Sequence, residues 1–166
     1  RVMATLRQHV PNIEVYSIDE AFLDFRGVAN PQERCHELRA IVLQWTGIPV
    51  SFGIAPTKSL AKLANRRAKK LPSGVWMVRD AAAADALLRE TPVAEVWGIG
   101  RRYARQLEQA GIATARDLSC QPEAWVRHRM KVVGWRLVCE LQGHPCLALE
   151  EAPRWREGVG TARSFG

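Results

Sequence analysis

The feature that most constrains the fold is a change of sequence pattern near residue 79. Before it, short apolar or alternating segments predict β-strands, with helix patterns between them. The predicted strands are residues 13–18, 21–25, 50–54 and 75–78. After it, strand signals stop and helix-favouring segments continue to residue 150. This order predicts an α+β fold, in which a sheet with helices on one face (1–79) is followed by a smaller all-α part (80–150). Residues 151–166 lack periodicity and are typical of a linker.

The charge balance favours a polyanionic partner. Lysines and arginines number 24 against 17 aspartates and glutamates, which gives a formal net charge of +7 over 166 residues. Nucleic-acid-binding proteins have this property, although ribosomal and membrane-surface proteins share it. No run of about 18 apolar residues is present, so the sequence predicts no membrane span.

The four cysteines do not follow a metal-binding pattern. Cys139, His144 and Cys146 are close enough in sequence to be considered as zinc ligands, but they lack the paired C-x2-C spacing of structural zinc sites. Free thiols in a reducing cytosol explain the cysteines better, which predicts a cytoplasmic protein.

An adjacent pair of carboxylates, Asp19 and Glu20, lies between the first two predicted strands. Charges at the apex of a buried hairpin carry a desolvation cost, which a bound divalent cation would offset. Magnesium is usually held by one or two carboxylates together with substrate phosphates. The alternative is an exposed tight turn, in which aspartate is common. Asp24 is excluded as a further ligand because four residues along a strand span roughly 13 Å.

Lys58 lies in the first turn of a helix that Thr57 is expected to cap. A cation there opposes the helix dipole, whereas helix N-termini favour anions. The position is therefore explained if Lys58 helps to hold a phosphate group. The alternative is a solvated lysine on a tolerant helix.

The segment Trp97-Gly98-Ile99-Gly100-Arg101-Arg102 predicts the turn of a helix-hairpin-helix. The two glycines leave room for backbone N–H groups to approach a phosphate, and Arg101 and Arg102 add electrostatic attraction. The alternative is a plain helix–helix turn. A second such turn is predicted at 131–134, where Lys131 replaces a glycine, so its binding to DNA is less certain.

Four segments together resemble the Y family of translesion DNA polymerases, and the resemblance covers essentially the whole chain. Residues 17–22 (Ser-Ile-Asp-Glu-Ala-Phe) resemble the second metal-binding motif of that family. The other matching segments are residues 50–65, 96–102 and 163–166.

The resemblance implies a domain for each part of the chain. Residues 1–79 would be most of the catalytic palm, with a palm-like antiparallel or mixed sheet and its N-terminal part missing. Residues 80–150 would be the all-α thumb with its helix-hairpin-helix, and 151–166 a linker towards a missing little-finger domain. The chain opens on Arg1, which is expected of a fragment.

The resemblance also implies the chemistry, which is two-metal transfer of a deoxynucleotide onto a primer 3′ end during SOS damage tolerance. Two Mg²⁺ ions would be held by Asp19, Glu20 and a third carboxylate outside this chain, and Lys58 would contact the triphosphate. Gly98, Ile99 and the three residues after them would bind DNA. The implied partners are primer–template DNA, dNTP, a processed UmuD-like dimer and the RecA filament, in the bacterial cytoplasm near the nucleoid. This fragment alone would be inactive.

Two other function classes share some of these sequence features. A non-catalytic DNA-binding module would use the helix-hairpin-helix, but it leaves Asp19, Glu20 and Lys58 without a role. A nucleotidyl cyclase also places carboxylates on a palm-like hairpin, but it does not explain the helical half.

Overall fold

The computed structural model describes residues 1–150, and the predicted linker at 151–166 lies outside this range. Helices and short strands alternate up to Met77 and helices alone follow, so the α+β class is confirmed. The helices are Val2–His9 (α1), Pro31–Thr46 (α2), Lys58–Ala68 (α3), Ala81–Glu90 (α4), Arg101–Gln109 (α5), Ala115–Ser119 (α6) and Glu123–Leu141 (α7). The strands are Ile13–Val15 (β1), Ala21–Leu23 (β2), Phe52–Ile54 (β3) and Val75–Met77 (β4). No helix in the described range is long and apolar enough to cross a bilayer.

The strands form two separate pairs, so the expectation of one sheet is wrong for residues 1–150. Strands β1 and β2 form an antiparallel hairpin, with Ile13 opposite Leu23. Strands β3 and β4 run parallel, with Phe52 opposite Val75. A cavity of about 410 Å³ lies between the two pairs and is lined by residues of both β2 and β3. The pairs are therefore too far apart to share hydrogen bonds.

Strand β3 lies directly against helix α3 because residue 53 is a glycine. A Cβ atom at Gly53 would lie 2.0 Å from the backbone nitrogen of Asn65 and 2.4 Å from the carbonyl oxygen of Ala61. These are backbone atoms, which cannot move aside locally, so a larger residue would separate β3 from α3. The predicted cap of α3 is confirmed, since the Thr57 side chain accepts a hydrogen bond from the Leu60 N–H.

Helix α3 shares a hydrophobic core with the helical part of the chain. Leu60 and Leu63 of α3 belong to the same buried cluster as residues of α4, α5, α6 and α7. A domain boundary near residue 79 therefore stays a prediction, because the two proposed parts share this core.

Three local features differ from what the sequence predicts. Asn30 is of a residue type that caps helices, but its side chain makes no capping hydrogen bond to α2; Pro31 occupies the first turn, and Gly47 ends the helix with φ of +71°. The helical spacing of Trp45 from Leu38 and Val42 predicts a core position, but 56% of Trp45 is exposed. Thr91-Pro92 predicts the start of a helix, but only a single 3-10 turn, Val93–Glu95, follows.

Helix α7 is interrupted at Lys131, where the second hairpin turn was predicted. Lys131 has φ of 61° and ψ of −163°, a conformation that is essentially confined to glycine. Residues with side chains are held in such conformations only by the surrounding structure. This backbone geometry agrees with a turn in which lysine replaces glycine.

We expect Lys131→Gly to stabilise the protein by about 1 kcal/mol, because relief of the strained conformation exceeds the added chain entropy of glycine. The matched control is Arg136→Gly, at an exposed position of the same helix. Glycine in an ordinary helical position should cost about 1 kcal/mol. The shift of the urea-unfolding midpoint checks both, and a loss of stability in Lys131→Gly would contradict the strain.

Candidate functional site

The acidic pair lies where the sequence places it, in the turn of the β1–β2 hairpin. The N–H groups of Tyr16 and Ser17 donate to the Glu20 carbonyl at 3.0 and 3.1 Å, which closes the turn. Asp19 is nevertheless exposed, and the neighbouring Ile18 is 98% exposed. The premise that the pair is buried is therefore wrong for Asp19, and a desolvation cost does not explain it.

Asp19 is held in its ionised form. The Ser17 hydroxyl donates a hydrogen bond to Asp19 Oδ1 at 2.7 Å, and this is the main reason why the pKa of Asp19 lies below the usual aspartate value. The positive charges of Lys69 and Lys62 lower the same pKa further. At neutral pH, Asp19 is thus a carboxylate with an oxygen available to a cation.

Glu20 is half-buried and pairs with Lys62. The Lys62 ammonium donates to Glu20 Oε2 at 2.7 Å, and 31% of the Glu20 side chain is exposed. The same ammonium lies 4.9 Å from the centre of the Tyr16 ring and 5.6 Å from that of Trp97. Lys62 therefore has three partners from two distant segments of the chain.

Both carboxylates and two lysines line the cavity between the strand pairs. Asp19, Glu20, Lys62 and Lys69 surround its polar part, and apolar residues of α1, β2 and β3 surround the rest. Carboxylates are the ligands that Mg²⁺ prefers, and lysines attract phosphate. This arrangement suits a metal–phosphate complex.

The donors present fit part of a magnesium site. Within residues 1–150, no three His, Cys, Asp or Glu side chains are grouped so that they could hold a metal ion. Two adjacent carboxylates are the usual protein share of a site that substrate phosphates complete. Asp24 contributes nothing to it, because Arg26 binds its carboxylate through both oxygens.

Lys58 is neither solvated nor free to meet a phosphate, because it is paired with a carboxylate. Its ammonium pairs with Glu14 Oε2 at 2.5 Å and donates to the Ala148 carbonyl at 2.7 Å, and only 11% of the side chain is exposed. The alternative of a solvated lysine is therefore wrong. A role in holding triphosphate stays a prediction, with Glu14 as a competing partner.

The backbone of the Trp97–Gly100 turn is open to a ligand. Gly98 has φ of +90°, which favours glycine, and nothing lies within 4 Å of the Cβ positions of Gly98 and Gly100. Ile99 is 8% exposed and anchors the turn in the core. Helix α5 then begins at Arg101 without a side-chain cap, so its first N–H groups remain available.

Aromatic contacts join this turn to the acidic hairpin. The Trp97 indole N–H donates to the Tyr16 hydroxyl at 3.1 Å, and the two rings meet edge to face at 5.4 Å. The Phe22 ring lies 5.6 Å from that of Trp97. An Arg66–Glu95 ion pair at 2.5 Å joins α3 to the segment just before the turn.

The contacts of Lys62, Lys69, Tyr16 and Trp97 at this site are not indicated by the sequence motifs. The only signal was that Lys62 follows Lys58 by one helical turn and that Tyr16 and Trp97 adjoin the predicted motifs. The partners Lys62 and Glu20 are 42 positions apart in the sequence, and Trp97 and Tyr16 are 81 positions apart. Tertiary packing brings such residues together, so local sequence spacing does not predict these contacts.

Comparisons with known proteins match the same segments. Residues 1–66 match the impB/mucB/samB family and residues 81–112 match the HHH motif of the IMS family. The whole chain is 46% identical to the protein UmuC of Salmonella typhimurium. The chain spans 41% of the length of that relative, and about two fifths of the length of the curated proteins that it matches.

Solved structures with the same fold are DNA polymerases. A DinB family error-prone DNA polymerase from Sulfolobus solfataricus superposes with a TM-score of 0.74 at 30% identity, covering 91% of this chain and 46% of that one. An insertion ternary complex of Dbh DNA polymerase superposes with a TM-score of 0.69 at 32% identity, covering 86% of this chain and 42% of that one.

Proposed function

Because the chain belongs to the Y family of DNA polymerases, we propose that the protein performs translesion DNA synthesis. In this reaction a deoxynucleotide is joined to a primer 3′ end opposite a template base, including damaged bases. The observation that carries the proposal is the acidic pair Asp19 and Glu20, which shares one cavity with Lys62 and Lys69.

Asp19 and Glu20 are the proposed metal-binding and catalytic carboxylates. Two bound Mg²⁺ ions would activate the primer 3′ oxygen and neutralise the triphosphate. The chain's own contribution is to fix the two carboxylates next to each other at a closed turn, where the Ser17 hydroxyl donates to Asp19 Oδ1. Orientation of this kind supplies much of the catalysis in phosphoryl transfer.

A third carboxylate is expected from a strand outside residues 1–150. The cavity between β2 and β3 is the proposed place for it, since residues of both strands line this space. A strand there would join the two strand pairs into the single palm sheet expected from the sequence. An aspartate on it would face the acidic pair.

Two lysines are candidates for the triphosphate. Lys69 is exposed and lines the cavity with Asp19, whose pKa its charge lowers. Lys58 does not line this cavity and would have to leave Glu14 first. We therefore place Lys69 closest to the incoming phosphates and keep Lys58 as a second, less direct contact.

The Trp97–Gly100 turn is proposed to bind the DNA backbone. Its open glycines and the free N–H groups of α5 would contact a phosphate, and Arg101 and Arg102 are exposed beside it. Such contacts position a duplex without selecting its sequence. A purely DNA-binding module would need only this turn and would leave the acidic cavity unexplained.

We expect Gly98→Glu to weaken primer–template binding by about tenfold at moderate salt, because the new carboxylate repels the phosphate. The matched control is Gly111→Glu, which has a similar φ of +80° and equally open surroundings. It adds the same charge and strain after α5. Fluorescence anisotropy with labelled DNA measures the affinity of both variants. Equal affinities would show that the turn is a plain connection between helices and does not bind DNA.

The wider setting is also proposed. Residues 1–79 would act as palm, 80–150 as thumb and 151–166 as linker to a further DNA-binding domain. The similarity to UmuC supports a role in the SOS response with a processed UmuD-like dimer and the RecA filament, in the cytoplasm near the nucleoid.

Primer extension by the full-length protein tests the proposal. With Mg²⁺ and dNTP it should extend a primer on an undamaged template and past an abasic site, whereas this chain alone should be inactive. A full-length protein that binds primer–template but adds no nucleotide would contradict the proposal.

A further inference from the structure

Lys62 occupies the place of a cation at Glu20. Its ammonium is 2.7 Å from Glu20 Oε2, and the side chains of both partners are largely shielded, with exposed fractions of 20% and 31%. A metal ion that uses Glu20 must compete with this ammonium for the carboxylate. Lys62, Asp19 and Glu20 line the same cavity.

The ammonium also has favourable contacts that do not involve Glu20. The ring centres of Tyr16 and Trp97 lie 4.9 and 5.6 Å from it, within the range of cation–π attraction. The Trp97 indole N–H donates to the Tyr16 hydroxyl, which fixes the two rings relative to each other. When Glu20 turns to a metal ion, Lys62 therefore keeps favourable contacts on the rings.

We propose that Lys62 is a positioning residue that acts as an exchangeable internal counter-ion for Glu20. Lys62 neutralises the Glu20 carboxylate when the metal is absent and releases this carboxylate when the metal binds. Lys62 thereby weakens metal binding and preserves the hairpin in the metal-free protein. The inference rests on the proposed function, since it takes Glu20 as a metal ligand.

Helix α3 itself offers a matched control. Arg67, later in the same helix, also pairs with a carboxylate and also lies over an aromatic ring, at 4.9 Å from the centre of Trp76. Its carboxylate is Glu90, and neither Arg67 nor Glu90 lines the cavity of the acidic pair. Removal of the Arg67 charge should therefore leave metal affinity at Glu20 unchanged.

Mn²⁺ titration followed by electron paramagnetic resonance tests the inference in the full-length protein bound to primer–template without dNTP. Lys62→Met should bind Mn²⁺ about fivefold more tightly than the wild type, as expected for loss of one partly shielded ion pair. Lys62→Arg and Arg67→Met should bind as the wild type does. If Lys62→Met fails to fold, Lys62→Gln removes the same charge with a polar side chain.

The outcomes separate this inference from the proposed function. Asp19→Ala should abolish the tight Mn²⁺ site; if it does not, the acidic pair is not the metal site and the proposed function fails first. If Asp19→Ala removes the site but Lys62→Met binds Mn²⁺ no more tightly than the wild type, the counter-ion role is wrong while the metal site stands.

Discussion

Replacing Asp19 with alanine should reduce primer extension by the full-length protein about a thousandfold, the equivalent of roughly 4 kcal/mol of transition-state stabilisation. Asp19 is exposed and its side chain bonds only locally, to Ser17, so its loss should not disturb the fold. Primer–template affinity should remain within about twofold of the wild type, because the DNA contacts are assigned to the Trp97–Gly100 turn. Single-turnover extension and anisotropy measure the two effects separately.

Asp24→Asn is the control for this experiment. Asp24 lies in the same hairpin but its carboxylate is bound by Arg26, and this contact holds its pKa well below the usual aspartate value. Its loss should change extension by no more than about threefold. Retained extension in Asp19→Ala, or an equal loss in both variants, would remove the metal-binding role.

Replacing Glu140 should have the largest effect on stability. Glu140 is completely buried near the end of α7, and no lysine or arginine pairs with it in the described residues. Its Oε2 accepts the Ser59 N–H at 3.0 Å, and its Oε1 accepts those of Cys146 and Leu147 at 2.8 and 3.2 Å. One carboxylate thus joins the start of α3 to the segment after α7.

We expect Glu140→Leu to lower the free energy of unfolding by about 3–5 kcal/mol, because the buried Ser59 N–H and the N–H groups of Cys146 and Leu147 all lose their acceptor. Glu140→Gln should cost about 1–3 kcal/mol, since one amide oxygen remains and the new amide group faces N–H donors. The exposed Glu108→Gln is the control and should stay within about 0.5 kcal/mol of the wild type.

Urea unfolding followed by tryptophan fluorescence measures all three variants. Equal stabilities for Glu140→Gln and Glu108→Gln would show that this carboxylate does not hold the two segments together.

Local features of this protein were predictable from its sequence. The hairpin turn at Asp19 and Glu20, the Thr57 cap and the turn at Gly98 depend on a few neighbouring residues, and the structure has each of them. The α+β class followed from the change of pattern near residue 79. Turn and capping chemistry act over short distances, so sequence spacing reports them directly.

Features that depend on distant contacts were not predictable. Lys58 and Lys62 look alike in sequence, yet one pairs with Glu14 and the other with Glu20. The spacing of α2 placed Trp45 on the core side, but no described element covers it fully. The separation of the strands into two pairs also depends on tertiary packing, which local sequence patterns do not predict.

The central claim is that Asp19 and Glu20 gather divalent ions beside a primer end. Anomalous diffraction from crystals of the full-length protein with primer–template, a non-hydrolysable dNTP and Mn²⁺ tests it most directly. We expect a manganese peak about 2.2 Å from an oxygen of each carboxylate and next to the primer 3′ end. A ternary complex in which Glu20 still pairs with Lys62 and manganese lies away from both carboxylates would contradict it.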